Sequence, residues 1–258
     1  MDTRARAAIL SRMEKLDDAA VEAFIKQFYG YGSWAAPVWF VGMEEGGGSS
    51  IDEIRRRIGA WTARGRHTLE DLHEYHEAIG ITRHIGEHAA LQPTWAKLIH
   101  VLLGMTGDPA TTDTVRRYQT DVLGRHGGTT CLIELLPLPS PGISAWLYGS
   151  ATTLAYLANR DLYRAHVVAD RIRAIREHLR VHRPRAVVCV GRTYDGYWQE
   201  LAGAPLSEVR NEKYATVVRD GIMFLAVQHP VAPGVSNAYF RSIGARIAAY
   251  ASSARHAP

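Results

Sequence analysis

Residues able to do acid–base chemistry stand at or near the ends of apolar runs. Glu44 and Glu45 follow the run 37–42, Glu134 lies within 130–136, and His229 follows the run 222–228. Carboxylates and histidines are the commonest general acids and bases. In an open parallel sheet, ligands bind beyond the carboxyl ends of the strands. We therefore expect an acid–base site at that edge.

The elements that must position these residues follow from hydrophobic periodicity. Buried strands are predicted at 37–42, 130–136 (ended by Pro137), 185–191 and 222–228, and they alternate with helices. This alternation indicates an α/β protein: a three-layer α/β/α sandwich with a central four-stranded parallel sheet. A single domain over 1–258 is expected, with an N-terminal helical extension at 1–30 and a helical insertion at 50–95.

A long amphipathic helix is predicted to end before Pro184, with an apolar stripe that includes Val168 and Leu179. Its other face carries a run of arginines, which we expect to face solvent. They are Arg171, Arg173, Arg176 and Arg180.

The composition limits the class of protein. The 258 residues are 47% hydrophobic and 22% charged, with a formal net charge of +4, which suits a globular protein and is compatible with a polyanionic partner. The two cysteines form no CxxC pattern, and the histidines between 64 and 92 favour a solvated helical surface over a metal site. We expect no metal, no cofactor, no leader and no membrane span, and a cytoplasmic monomer.

Two familiar motifs are excluded. GMEEGGG lacks the lysine of a phosphate-binding loop, and its adjacent glutamates would repel phosphate. The sequence contains no GxSxG, so a serine-hydrolase elbow is not expected.

Three segments together resemble a known family. They are Val-Gly42-Met-Glu-Glu-Gly46, the stretch Leu-Ile-Glu134-Leu, and Gln-His229-Pro-Val. Over about residues 37 to 250 their order is similar to that of the uracil-DNA glycosylase superfamily. The first is most similar to the GMNPG motif of the single-strand-selective monofunctional branch, with Glu44 replacing Asn and Glu45 replacing Pro.

The resemblance implies roles for these residues. Glu44 would position or activate the attacking water and stabilise the cationic sugar, and Glu45 would share this task or hold Glu44. His229 would stabilise negative charge on the departing base. The alternatives without a catalytic role are a solvated acidic loop for Glu44 and Glu45, and a buried histidine that caps the last helix for His229. A base pocket and a DNA surface are also implied: Gly42, Met43, Glu134 and Pro137 for the base; Pro230, Val231, Gly234, Ser236, Asn237, Arg192 and Arg241 for DNA.

Glu134 departs most informatively from the family, which reads uracil with an Asn. A carboxylate only accepts hydrogen bonds, so it would oppose the O4 acceptor of uracil but could accept from N4 of cytosine. If protonated, it could also donate to N3. We therefore expect a modified cytosine, such as a glucosylated hydroxymethyl form in phage DNA, unless the strand register turns Glu134 away from the pocket. Trp61 and Tyr75 are candidates for contacting the sugar, and Val231 or Val235 for wedging into the duplex.

Other functions remain open at this point. A repair glycosylase for uracil or deaminated bases, an inactive DNA-binding member of the fold, and a nucleoside hydrolase would all fit carboxylates at strand ends. A DNA glycosylase must flip its base out of the duplex, so DNA is the expected partner.

Overall fold

The computed structural model describes residues 15–86, 88–142 and 144–254, so the first 14 residues of the predicted helical extension (1–30) lie outside the described residues. The strands are β1 (Gly30–Gly32), β2 (Val38–Gly46), β3 (Leu69–Glu70), β4 (Thr130–Ser140), β5 (Ala186–Val190), β6 (Ser207–Glu208), β7 (Ala215–Arg219) and β8 (Ile222–Val227). They form one sheet of order β3-β1-β4-β2-β5-β8-β7-β6.

Nine α-helices occur in the described part of the chain. They are α1 (Asp18–Gln27), α2 (Ile51–Ala63), α3 (Leu72–Ala78), α4 (Pro93–Thr106), α5 (Thr112–Asp121), α6 (Tyr148–Ala151), α7 (Arg160–His182), α8 (Asp195–Ala202) and α9 (Asn237–Ala254). Short 3-10 turns occupy Ala155–Leu157 and Arg192–Tyr194. No helix in the described ranges is long and apolar enough to cross a membrane.

The prediction of an α/β protein is confirmed, but the sheet is larger than predicted and mixed. Strands β2, β5 and β8 are parallel, with Val38 opposite Ala186 and Val187 opposite Phe224. Strand β1 pairs antiparallel with β4, and β7 pairs antiparallel with β8. A turn at Asp220 and Gly221, both at positive φ (52° and 78°), joins β7 to β8, as expected for a two-residue hairpin.

Two strands continue beyond their predicted ends. Strand β2 includes Glu44 and Glu45, which were predicted to follow its end. Strand β4 passes through Pro137 and ends at Ser140, so the prediction that Pro137 ends it is wrong. The pairing of β4 with β1 reaches only Ile133, so Pro137 interrupts no bond to β1.

The chain divides into two compact units. The first comprises Met1–Tyr29, Glu44–Thr68 and Glu134–Arg171, and the second comprises Gly30–Met43, Leu69–Ile133 and Ile172–Pro258. In the first unit Phe24 packs against Phe28 and Trp61, with ring centroids 4.5 and 5.1 Å apart. In the second, β2, β5 and β8 share a core with α4 and α9. A single domain stays a prediction.

Arg171 corrects the prediction for the arginine-rich face of α7. Its side chain is buried rather than solvated. It donates to the carbonyl oxygens of Glu134 (2.9 Å), Leu135 (3.2 Å) and Ile25 (3.4 Å), and its guanidinium lies 3.8 Å from the Tyr29 ring centroid. These partners satisfy a cation that burial would otherwise disfavour.

Candidate active site

Glu44 and Glu45 lie side by side in β2, and successive strand residues point to opposite faces. Each carboxylate accordingly has its own arginine. Glu44 pairs with Arg160 at the start of α7. Glu45 pairs with Arg57 of α2 at 3.1 Å. The adjacent glutamates thus have separate partners.

Arg160 is fixed on several sides. Besides Glu44, it donates to the Ser140 hydroxyl and to the carbonyl oxygens of Gly142 (2.7 Å) and Ala145 (3.0 Å). Its guanidinium carbon lies 5.3 Å from the Trp146 ring centroid. A guanidinium held by this many acceptors gives Glu44 a fixed position as well as a counter-charge.

Gly47, which follows β2, makes room for the side chain of Arg57. A Cβ at Gly47, where φ is +115°, would lie 2.4 Å from Nη2 of Arg57. Arg57 also donates to Glu53 at 3.1 Å. Glu53 accepts from the backbone of Gly48 and Ser49, both at 2.9 Å, as acidic residues do at helix starts.

Glu53 has a strongly lowered pKa. Burial alone would raise it, but hydrogen bonds from the Ser49 hydroxyl and the Gly48 and Ser49 amides, with the charge of Arg57, lower the pKa to about 2. Glu53 is therefore ionised at neutral pH. Its hydrogen bonds from Gly48 and Ser49 hold the loop that follows β2 in place.

Glu134 of β4 has the opposite character. Burial raises its pKa well above the ordinary value, and the charges of Glu45 and Glu44 raise it further against the opposing effect of Arg171. These interactions place Glu134 near the paired glutamates. Its Oε2 is enclosed and has no hydrogen-bond partner within the described ranges. Burial and the two neighbouring carboxylates therefore favour the neutral, protonated form of Glu134.

The pKa of Glu44 lies between those of Glu53 and Glu134. Burial raises its pKa, and the charge and hydrogen bond of Arg160, with the charge of Arg164, oppose this. Oε2 binds Arg160, whereas Oε1 is enclosed and has no hydrogen-bond partner in the described part of the chain. One oxygen is fixed, and the other is an acceptor that the protein leaves unused.

Two buried tyrosines border this cluster. The Tyr148 hydroxyl donates to the Pro139 carbonyl oxygen at 2.9 Å, and the Tyr163 hydroxyl accepts from the Leu138 amide at 3.3 Å. Burial raises the pKa of both phenols. Both tyrosines hold the extension of β4 that follows Glu134.

His229 lies in the second unit, on the loop after β8. It is exposed, and its Nδ1 accepts weakly from the Val231 amide at 3.4 Å, which assigns the ring proton to Nε2. Partial burial nevertheless lowers its pKa. The ring is therefore neutral at pH 7 and offers an Nε2–H donor.

The loop after His229 offers some of the surface that was predicted for DNA. Val231 is 58% exposed, whereas Val235 is partly buried. Gly234, Ser236 and Asn237 are exposed. Pro230 is buried, so the prediction that it contacts DNA is wrong; it has almost no surface to offer.

The arginines predicted to contact DNA have protein partners. Arg192 binds Asp195 at 2.7 Å and also binds Glu208, so two carboxylates outweigh its one positive charge. Arg241 is partly buried and donates to the Asp108 carbonyl oxygen at 2.9 Å. Neither arrangement specifically favours a phosphate.

The remaining predicted base and sugar contacts are placed as follows. Gly42 and Met43 are partly exposed near the end of β2, in the second unit. Pro137 is buried within β4, which leaves it little surface for a base. Trp61 and Tyr75 are completely buried, so the prediction that they contact a sugar is wrong.

The structure thus brings Glu44, Glu45 and Glu134 together in the first unit. Sequence reasoning did not identify Arg160, Arg57, Tyr148 or Tyr163 as partners in this cluster, and it assigned Arg171 to solvent. The spacing of Glu53 and Arg57 on one helix was an available signal for Arg57. In the described residues, no group of three or more His, Cys, Asp or Glu side chains is placed to hold a metal ion. Comparison with known family models and with curated proteins finds no match for the chain.

Proposed function

We propose that the protein is a DNA glycosylase that hydrolyses the N-glycosidic bond of a flipped-out modified pyrimidine. The supporting observation is the Glu134 carboxyl, whose Oε2 is enclosed and unpartnered beside two other glutamates. A buried polar group without a partner is costly, and a ligand that hydrogen-bonds to it removes that cost. The same proposal includes a fold like that of the uracil-DNA glycosylases.

The protonation of Glu134 determines which base edge it can read. A protonated carboxyl has one O–H donor and a carbonyl acceptor. Cytosine presents an N3 acceptor beside an N4 amino donor, so the two groups form a pair of complementary hydrogen bonds. A cytosine-type base, modified at C5 as in hypermodified phage DNA, is the first candidate.

The raised pKa of Glu134 also brings in a second candidate. An ionised carboxylate would oppose O4 of uracil, but the protonated acid can donate to O4 and accept from N3–H. Only the ionised form of Glu134 disfavours uracil. Uracil, as the substrate of a repair enzyme, is therefore the competing substrate.

Glu44 would act on the sugar. As the bond between C1′ and the base breaks, its electron pair moves to the base nitrogen and positive charge develops on the sugar. Arg160 favours the ionised form of Glu44, which stabilises that charge. The unused Oε1 would accept a proton from the water that adds to C1′. Glu45, bound to Arg57, helps to keep Glu134 protonated.

The resemblance gives His229, in the second unit, the role of stabilising negative charge on a departing base. A neutral ring with a proton on Nε2 can donate to a base carbonyl oxygen as negative charge develops there. The exposed Val231 beside it would enter the space that the flipped nucleotide leaves in the duplex.

The test is to incubate the protein with duplexes that carry uracil, cytosine, hydroxymethylcytosine or its glucosylated form, and to detect released base by mass. We expect release of a modified cytosine and none of plain cytosine. Glu44→Gln should lower the rate by roughly two orders of magnitude or more, as loss of a transition-state group does. Glu77→Gln, at an exposed position on α3, is the matched control.

Each result decides a different point. Release of uracil alone would replace the first candidate with the second. Undiminished release by Glu44→Gln would overturn the role of Glu44. No release from any of these duplexes would overturn the proposed function.

A further inference from the structure

A cavity of about 540 Å³ lies in the second unit, among the second half of α7, α8 and the β7–β8 hairpin. Its floor is apolar and includes the buried Leu179, Leu201 and Phe224. Its rim is charged. Five arginines stand there with Glu177 and Asp220, and they are Arg173, Arg176, Arg180, Arg183 and Arg219.

The rim is strongly positive. Five arginines against two carboxylates leave a net charge of +3 around the cavity. Arg173, Arg176 and Arg180 are spaced three and four residues apart, so they lie on one face of α7. Arg219 belongs to the hairpin, so cations come from both a helix and a strand.

Protein contacts hold these guanidinium groups in place. Arg176 donates to the Glu200 carbonyl oxygen at 2.8 Å, and Arg183 donates to that of Asp220 at 3.1 Å. Gly203 makes room for the first contact, because a Cβ there would lie 2.7 Å from Nη1 of Arg176. A guanidinium has five N–H donors, so one such bond leaves donors for a ligand.

The cavity is separate from the loop that carries His229. It lies beside Ile222, where β8 begins, whereas His229 follows Val227, where β8 ends. The strand between them spans roughly 17 Å at about 3.3 Å per residue. A ligand in this cavity therefore occupies a different end of the strand.

We infer that this cavity binds a small phosphate-bearing ligand with an apolar body, of the nucleoside triphosphate class. Guanidinium forks match phosphate oxygens in geometry and charge. The volume falls in the range of small-molecule sites and exceeds the needs of a phosphate alone. The apolar floor suits the flat base, and the arginine rim suits the phosphates.

Titration calorimetry of the full chain tests this inference with ATP, pyrophosphate and adenosine as probes. We expect saturable binding of ATP with one site per chain, weaker binding of pyrophosphate and none of adenosine. The double change Arg176→Gln with Arg183→Gln should weaken ATP roughly tenfold or more, since it removes two charge-assisted contacts. Far-ultraviolet circular dichroism of the variant checks that it is folded.

Arg246→Gln is the matched control, because it removes the same charge from an exposed position on α9. Equal weakening by Arg246→Gln would overturn the inference, as would an absence of saturable ATP binding at millimolar concentration. Weakened binding of duplex DNA with no ATP binding would assign the groove to nucleic acid and also overturn it. Base release plays no part in these measurements, so they stand apart from the proposed function.

Discussion

The pKa values of two glutamates in the first unit are shifted in opposite directions from the ordinary value of a carboxyl. Burial, with Glu45 and Glu44, raises the pKa of Glu134, whereas hydrogen bonds and Arg57 lower that of Glu53 to about 2. The difference comes from the partners of each carboxyl. Backbone and hydroxyl donors surround Glu53, and other acids surround Glu134.

This contrast predicts opposite pH dependence for two matched variants. Above its ordinary pKa of 4.5 the unfolded chain ionises Glu134 while the folded chain keeps the proton, so stability falls as pH rises. Glu134→Gln removes that loss, and its stability relative to wild type should increase as pH rises above 4.5. Ionised Glu53 stabilises the folded protein above pH 4.5, and this stabilisation is lost as pH falls towards about 2. Glu53→Gln should therefore cost most near neutrality.

Urea unfolding across this pH range measures both effects. A relative stability of Glu134→Gln that does not change with pH would show that the folded protein ionises Glu134 normally. A cost of Glu53→Gln that grows on acidification would contradict the hydrogen bonding at the start of α2.

The sequence predicted the glutamates of the site but not the arginines that pair with them. The apolar runs predicted Glu44 and Glu45 just after one strand and Glu134 within another, and their proximity followed from that. The partner of Glu44, Arg160, is separated from it by 116 residues. No local spacing indicates such a pair, because only the folded chain brings α7 to the end of β2.

At the scale of elements, long apolar runs were sufficient for four strands. Strands β1, β3 and β6 have three, two and two residues, too few to show a period. Strand β7 had an available signal, the Asp220–Gly221 pair between apolar runs. Arg171 was assigned to solvent because it is charged. The carbonyl oxygens that it binds come from distant segments, so local sequence does not reveal them.

Helices α4 and α9 pack closely in the second unit because glycines face one another there. A Cβ at Gly244 would lie 2.0 Å from the Val101 carbonyl oxygen, and one at Gly104 would lie 2.3 Å from that of Arg241. Gly244→Ala should therefore destabilise the protein by about 3 kcal/mol or more, since the clash is with backbone. Gly59→Ala in α2 meets no atom within 4 Å and should stabilise it by about 0.5–1 kcal/mol.

Thermal unfolding of both variants compares them directly. Equal melting temperatures would show that α4 and α9 can separate without cost. A loss in Gly59→Ala would show that its surroundings are more crowded than described.

At the scale of the whole molecule, a net charge of +4 is too small to identify a DNA surface, so the local arrangement of charge must do so. Lys97 lies beside the loop after His229 and binds neutral oxygens, the Val235 carbonyl at 3.2 Å and the Asn237 side chain at 2.6 Å. Arg192 faces two carboxylates. Of these two cations, Lys97 therefore adds net positive charge to its surroundings and Arg192 does not.

If the loop after His229 contacts DNA as proposed, these two cations should differ in their effect on binding. Lys97→Gln should lower the affinity for duplex DNA and reduce the slope of log affinity against log salt by about 1, because one phosphate contact is lost. Arg192→Gln should leave the slope unchanged, since its charge is already neutralised. Fluorescence anisotropy over a salt series measures both slopes. A larger change in slope for Arg192→Gln than for Lys97→Gln would place the DNA surface at the start of α8 and away from the His229 loop.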